Sequence, residues 1–197
     1  MGRWEGGSLV ITGTPGTGKS TIGRLLSRKL GIEFLDVGRL VKEEGLFLYR
    51  DERRGSVVVN PDLVLDRLVE ILGDSDMILE TLYPGVIPPR LVQRVVVLRC
   101  DPLILRYRLE ERMGYERALE NAMAEALGVV SAEAYSHFPE SKIVEVDTTM
   151  GGPESNCIKI LRLLQSDHGA QKRISWLDRA LLLDSITSRL IEIEARG

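Results

Sequence analysis

A chain of 197 residues with 44% hydrophobic composition can bury one sizeable core and is short for two, so a single domain is expected. Its formal net charge of −3 argues against a generally basic nucleic-acid binder, and sequence-specific DNA binding is not expected. No apolar run approaches the ~20 residues of a spanning helix, and Cys100 and Cys157 are too few for a disulfide framework or a zinc site, so they read as buried thiols.

The segment from Met1 to Gly7 has neither the apolar core of a signal sequence nor the Ser/Thr of a myristoylation site, which leads to the expectation of a cytoplasmic protein with no membrane partner. Leu9 to Thr12 reads as a short buried strand, and Thr21 to Leu30 has apolar residues at helical spacing. Between them, Gly13-Thr14-Pro15-Gly16-Thr17-Gly18-Lys19-Ser20 fits G-x-x-x-x-G-K-[ST] at every fixed position. Such a loop aims successive backbone N–H groups at a polyphosphate, and its glycines permit the close approach. Lys19 supplies a point charge for the β/γ-phosphates. Ser20 supplies a hydroxyl suited to Mg²⁺, and the helix start adds unsatisfied amides and a positive dipole end.

Gly31 stops that helix, and Ile32 to Val37 reads as a second strand. From Arg39 to Val59 charged residues crowd around a few apolar ones, which suggests a helical excursion from the main sheet or a solvated insertion. Asn60-Pro61 opens a helix whose stripe is Leu63, Leu65, Leu68, Val69 and Leu72, with Gly73 as its stop. Met77 to Glu80 is a third strand ending in a carboxylate. Pro84, Pro88 and Pro89 mark a loop, and Arg94 to Arg99 is a fully buried parallel strand. Asp101-Pro102 starts a helix with Leu105 and Leu109 on one face and Arg106, Arg108 and Arg112 around it. Gly114 breaks it, and an alanine-rich helix runs from about Arg117 to Leu127.

Lys142 to Asp147 is the fifth strand, and Glu154 to Leu164 the helix after it. Strands alternating with helices predict an α/β fold, a five-stranded parallel sheet with helices on both faces and a ligand at the carboxyl ends of the strands. Beyond a polar linker at Gln165 to Gly169, the tail from Gln171 to Ala195 spaces Ile174, Leu177, Leu181, Ile186, Leu190 and Ile193 as a long amphipathic helix. That helix either packs on the core, within the chain or in a dimer, or binds a partner. His137 and His168 are isolated and read as surface or structural residues.

A phosphate loop does not specify what is done with the nucleotide. A guanine-reading Asn-Lys-x-Asp is missing, because the asparagines sit in Asn60-Pro61, Asn121-Ala122 and Asn156-Cys157. A charged excursion after strand two and an Arg-rich helix pair after strand four suit a small phosphotransferase, which holds two substrates in line and neutralises developing charge.

Gly13 to Thr21, Asp36-Val37-Gly38 with Leu40 to Leu46, Val96 to Pro102, Arg108 to Arg112 with Glu120-Asn121, and Asp147 to Thr149 together resemble the archaeal and nuclear branch of adenylate kinases, the isoenzyme-6-like family. The resemblance covers about residues 8 to 165. It implies a P-loop NTPase fold of the nucleoside-monophosphate-kinase type in residues 1–165, with an NMP-binding part at 36–59, a lid at 112–120 and a C-terminal helical extension at 166–197. The implied reaction is Mg²⁺-dependent transfer from ATP to AMP, giving two ADP. In it Gly16, Gly18, Lys19, Ser20 and Thr21 hold the donor with the lid arginine Arg112, Ser20 and Glu80 hold the metal and its waters, and Arg112 and Arg117 the transferring phosphoryl. The family is also implicated in small-ribosomal-subunit maturation as ATPases that bind a ribosomal protein, which makes an assembly-factor ATPase the second expectation. A kinase for another small acceptor is the third.

Three departures from the family pattern stand out. Glu80-Thr81-Leu82 keeps the carboxylate after the third strand but has Leu82 where a histidine is usual, Arg117 stands where a lysine is usual, and the lid is one residue short.

Overall fold

The computed structural model of the chain describes residues 7–52, 56–73, 75–165 and 173–184. Five parallel strands, β1 (Ser8–Gly13), β2 (Glu33–Asp36), β5 (Met77–Glu80), β6 (Val92–Arg99) and β7 (Ile143–Asp147), form one sheet in the order β2-β5-β1-β6-β7. A separate antiparallel pair, β3 (Phe47–Asp51) and β4 (Ser56–Val59), completes the strands among the described residues. The helices are α1 (Lys19–Leu30), α2 (Val37–Glu43), α3 (Pro61–Leu72), α4 (Pro102–Met113), α5 (Tyr115–Ala126), α6 (Val129–His137) and α7 (Pro153–Gln165), and residues 177–184 are also helical.

The central strands are apolar without alternation because both sheet faces are covered. Leu9, Ile11, Ile78, Val96 and Leu98 face α1 and α7, where Ile22, Leu26, Cys157 and Ile160 close the layer. Their neighbours Val10, Leu79, Val95 and Val97 face the opposite way, onto Val64 and Leu68 of α3 and Ala134 of α6. Successive side chains of one strand thus feed two cores, the period-two geometry of extended chain.

Differences from the sequence expectations have local causes. Among its described residues the 39–59 segment is helical only through α2; Phe47, Tyr49 and Val57 to Val59 are aromatic or β-branched, and these two stretches pair as a hairpin. The buried stripe of α3 is Val64, Leu68 and Leu72, with Leu63 44% and Val69 41% exposed. Two apolar stripes overlap in this helix, and contact with the sheet selects the one that includes Val64. Helix α6 falls where the sequence suggests no element, because its buried side is Val130, Ser131 and Ala134, too small and polar to read as a stripe. Among the described tail residues, 173–176 are not helical and helix covers 177–184. Leu177 and Leu181 lie exposed while Leu183 is buried against Ala122 and Ala126 of α5, so the expected face is not the packed one. Ile186, Leu190, Ile193 and His168 lie outside the described residues. Among the described residues no helix is long and apolar enough to cross a membrane.

The choice of stripe is testable by denaturant unfolding. Leu68→Ala is expected to cost about 2–5 kcal/mol, and Val69→Ala to change stability by no more than about 0.5 kcal/mol; comparable losses from both would contradict the packing.

Candidate active site

The loop between β1 and α1 wraps back on itself at the carboxyl end of the sheet. Gly13 has φ +145°, and a Cβ there would lie 2.4 Å from the Leu98 carbonyl oxygen, so a side chain would displace β6. Gly16 has φ +86°, and its Cβ would meet Leu109 Cδ2 at 2.7 Å, because α4 leans on the loop with Leu105 and Leu109. The carbonyl oxygen of Thr14 gathers the loop. It accepts from Thr17 N at 3.3 Å, Thr17 Oγ1 at 2.9 Å and Lys19 Nζ at 3.3 Å. The Thr148 hydroxyl, after β7, ties the Thr17 carbonyl to the Arg99 carbonyl at 3.0 and 2.9 Å. Helix α1 starts at Gly18 without a side-chain cap, which leaves its first-turn amides suited to an anion.

Lys19 is only 8% exposed, and burial lowers its pKa against the opposing pull of Glu80, Asp36 and Glu125. Glu80 ends β5, in register with Ile11 on one side and Asp36 on the other. Its carboxylate accepts from Ser20 Oγ at 3.1 Å. Burial raises its pKa, Lys19 opposes the shift, and Asp36 adds to it. Asp36 also caps α2 by accepting from Arg39 N at 2.9 Å, so one residue ends a strand, starts a helix and places charge beside Glu80. The Ser20 hydroxyl and the Glu80 and Asp36 carboxylates are hard oxygen donors that fit Mg²⁺, an ion bound through one or two carboxylates with phosphate and water making up the rest.

Beside this cluster opens a cavity of about 270 Å³. Its floor is Lys19, Asp36 and Glu80; α2 contributes Val41 and Lys42, the hairpin Val57 and Val59, and the chain after β5 Leu82 and Tyr83. The segment expected to be an acceptor-binding part therefore walls a cavity that shares Lys19 with the phosphate loop. Leu82 stands in that wall, so the position where a histidine would be usual is apolar here.

Gly16, Gly18, Lys19, Ser20 and Glu80 converge at one place. Thr21 follows on α1 with an exposed side chain. Arg112 and Arg117 are exposed at the junction of α4 and α5, which meet at Gly114 with φ +81° rather than across a longer loop. Arg108, on the same helix, instead turns inward to the Thr149 carbonyl at 2.6 Å. Four residues of the site had no individual role assigned from the sequence: Asp36, Lys42 and Thr148, which lie in segments that carry the resemblance, and Glu125. The Glu125 carboxylate accepts from Thr14 Oγ1 at 2.5 Å, and its alanine-rich surroundings signal only helix.

Sheet order, loop and capping helix define a P-loop kinase fold. The family described as AAA domain matches residues 9–128. Shikimate kinase from Bacteroides thetaiotaomicron superposes with a TM-score of 0.57 at 21% identity, over 81% of this chain and 98% of that one. The Acinetobacter baumannii shikimate kinase does so at 0.51 and 18%, over 80% and 92%. These likenesses concern the fold. Closer in sequence are archaeal proteins each named "Putative adenylate kinase": one from Sulfurisphaera tokodaii, 40% identical over 78% of this chain and 80% of its own, and one from Methanococcus maripaludis, 35% identical over 86% and 95%. The chain belongs to this family.

A carboxyl with a raised folded pKa holds its proton more tightly in the folded chain than in the unfolded one, so stability falls as pH climbs from the ordinary carboxylate range through the raised value. Glu80→Gln is therefore expected to raise the unfolding midpoint of nucleotide-free protein at about pH 7 and to match wild type at about pH 4. The same offset at both pH values would contradict the burial of an ionised Glu80.

Proposed function

We propose that the protein is an adenylate kinase that transfers the terminal phosphoryl group of ATP to AMP, giving two ADP. One observation carries this reading: a phosphate loop and a separate acceptor-sized cavity share Lys19 and Glu80 along a common edge. A nucleotide hydrolase needs only the first of these.

The loop amides from Gly16 to Ser20 and the α1 terminus hold the donor phosphates. A phosphate oxygen of AMP, held in the cavity against α2 and the hairpin, attacks the γ-phosphorus while the bond to the β–γ bridging oxygen breaks and ADP leaves. The Lys19 ammonium, in a site with little water, stands where negative charge spreads over the transferring group. Ser20 and Glu80 would hold Mg²⁺, which would supply positive charge to the phosphates. Arg112 and Arg117 swing in from the α4–α5 junction to complete the charge. A cytoplasmic setting, where both nucleotides are available, belongs to the same reading.

The family resemblance alone supports an assembly-factor ATPase with a small-subunit ribosomal protein as partner. It ranks second, because Leu82 supplies no imidazole where the family's histidine would stand to orient an attacking water, and because hydrolysis has no use for the cavity beside the loop. The fold it shares with shikimate kinases makes another small acceptor the chemical rival.

An acceptor screen separates these readings. ADP formation is expected with ATP plus AMP, at a rate far above that with ATP alone or with ATP and shikimate. Lys19→Met is expected to lower turnover on the order of a hundredfold or more, and Arg112→Ala to lower kcat more than it raises KM. No AMP-dependent turnover would overturn the proposal.

A further inference from the structure

Beneath the phosphate loop lies a buried charged network that the phosphoryl-transfer scheme does not use. Arg99, 3% exposed at the end of β6, donates from Nε to Glu125 Oε1 at 2.7 Å and from Nη2 to the Glu125 carbonyl at 2.9 Å. Its Nη1 reaches Glu145 Oε1 at 3.3 Å and the carbonyl of Ile174 at 2.9 Å. Glu145 also accepts from Ser131 Oγ, and from the Ile174 backbone N at 2.5 Å. Glu125 is 2% exposed and takes a further bond from Cys100 N at 3.1 Å. One guanidinium thus stands between two buried carboxylates, and each has its own neutral donors.

Two ends of the network matter. At one end Glu125 receives the Thr14 hydroxyl, and Thr14 is the residue whose carbonyl gathers Thr17 and the Lys19 ammonium. At the other end the network holds both backbone groups of Ile174, in the segment that leads to the 177–184 helix. That segment is fastened further by the Arg173 guanidinium over the Tyr135 ring at 3.7 Å, by ion pairs of Arg173 with Glu140 at 3.6 Å and Arg179 with Asp101 at 3.1 Å, and by Leu183 buried on α5. Such a network costs much desolvation and gives a defined geometry only while every partner is in place.

We propose that Glu125 is a positioning residue for the phosphate loop, and that the docked segment at Ile174 holds Glu125 in place through Arg99, so that tail docking sets nucleotide affinity. The route runs from the Ile174 backbone to Arg99 and Glu145, to Glu125, to the Thr14 hydroxyl, and through the Thr14 carbonyl to Lys19. Thr14→Val keeps the shape of the side chain but removes the donor, which leaves the Glu125 carboxylate one bond short and cuts the loop's tie to α5. Ile174→Pro removes the N–H that reaches Glu145, at a point remote in sequence from every loop residue.

The inference rests on the phosphate loop binding a nucleotide, and not on the identity of the acceptor. The test is therefore binding of a fluorescent ATP analogue with Mg²⁺ to the full-length chain, with a denaturation midpoint for each variant. Thr14→Val is expected to weaken binding about tenfold, the scale of one lost charge-assisted bond, while Thr14→Ser restores it. Ile174→Pro is expected to weaken it severalfold, and the double variant to bind no worse than Thr14→Val alone, because both changes cut one route. If Ile174→Pro does not fold, Arg179→Ala, which releases the same segment from Asp101, is expected to weaken binding in its place. Unchanged affinity in Thr14→Val, or effects of the two changes that simply add, would overturn the proposal. A wild type that binds the analogue without phosphorylating AMP would overturn the adenylate kinase reading alone.

Discussion

The buried ammonium of Lys19 is the constraint on which the site depends. Burial disfavours its charge, and the charge is what a polyphosphate needs. Three carboxylates, Glu80, Asp36 and Glu125, counter that penalty from different elements, and the Thr14 carbonyl fixes the amine in direction. A lysine in water would be flexible and screened. Here the protein meets the ordering cost in advance, and an arriving phosphate replaces an unfavourable local balance with a favourable one.

The sheet order delivers those charges. With β1 between β5 and β6, the loop after β1 lies beside Glu80 on one side and Leu98 on the other, and β2 brings Asp36 next to Glu80. Both faces of the sheet are covered by helices, so the carboxyl edge is the open rim where these strand ends meet. The excursion from Asp36 to Val59 then supplies a second wall instead of a sixth strand. That is how one sheet edge comes to hold the phosphate loop and the adjoining cavity, the proposed donor and acceptor sites, with a lysine between them.

Much of this was legible along the chain because its information is local. The phosphate loop is eight consecutive residues, Asn60 and Asp101 cap their helices as their types predict, and the apolar strands read directly. What was not legible depends on residues far apart. Thr14 and Glu125 are separated by 111 positions, and Arg99 and Glu125 by 26, so the network under the loop has no sequence signature. The hairpin after α2 was hidden by its charges, and α6 by the small, polar side chains it buries. Leu177 and Leu181 kept helical spacing yet lie exposed, because the tail's contacts run through the Ile174 backbone and Leu183.

The central claim is that donor and acceptor sites adjoin across Lys19. Calorimetric titration with two adenosines joined by five phosphates tests this most directly, since such a molecule spans both sites only if they are adjacent and aligned. One molecule per chain, bound orders of magnitude more tightly than ATP or AMP and displaced by both, is the predicted result. Affinity no better than that of ATP, with AMP unable to compete, would contradict it.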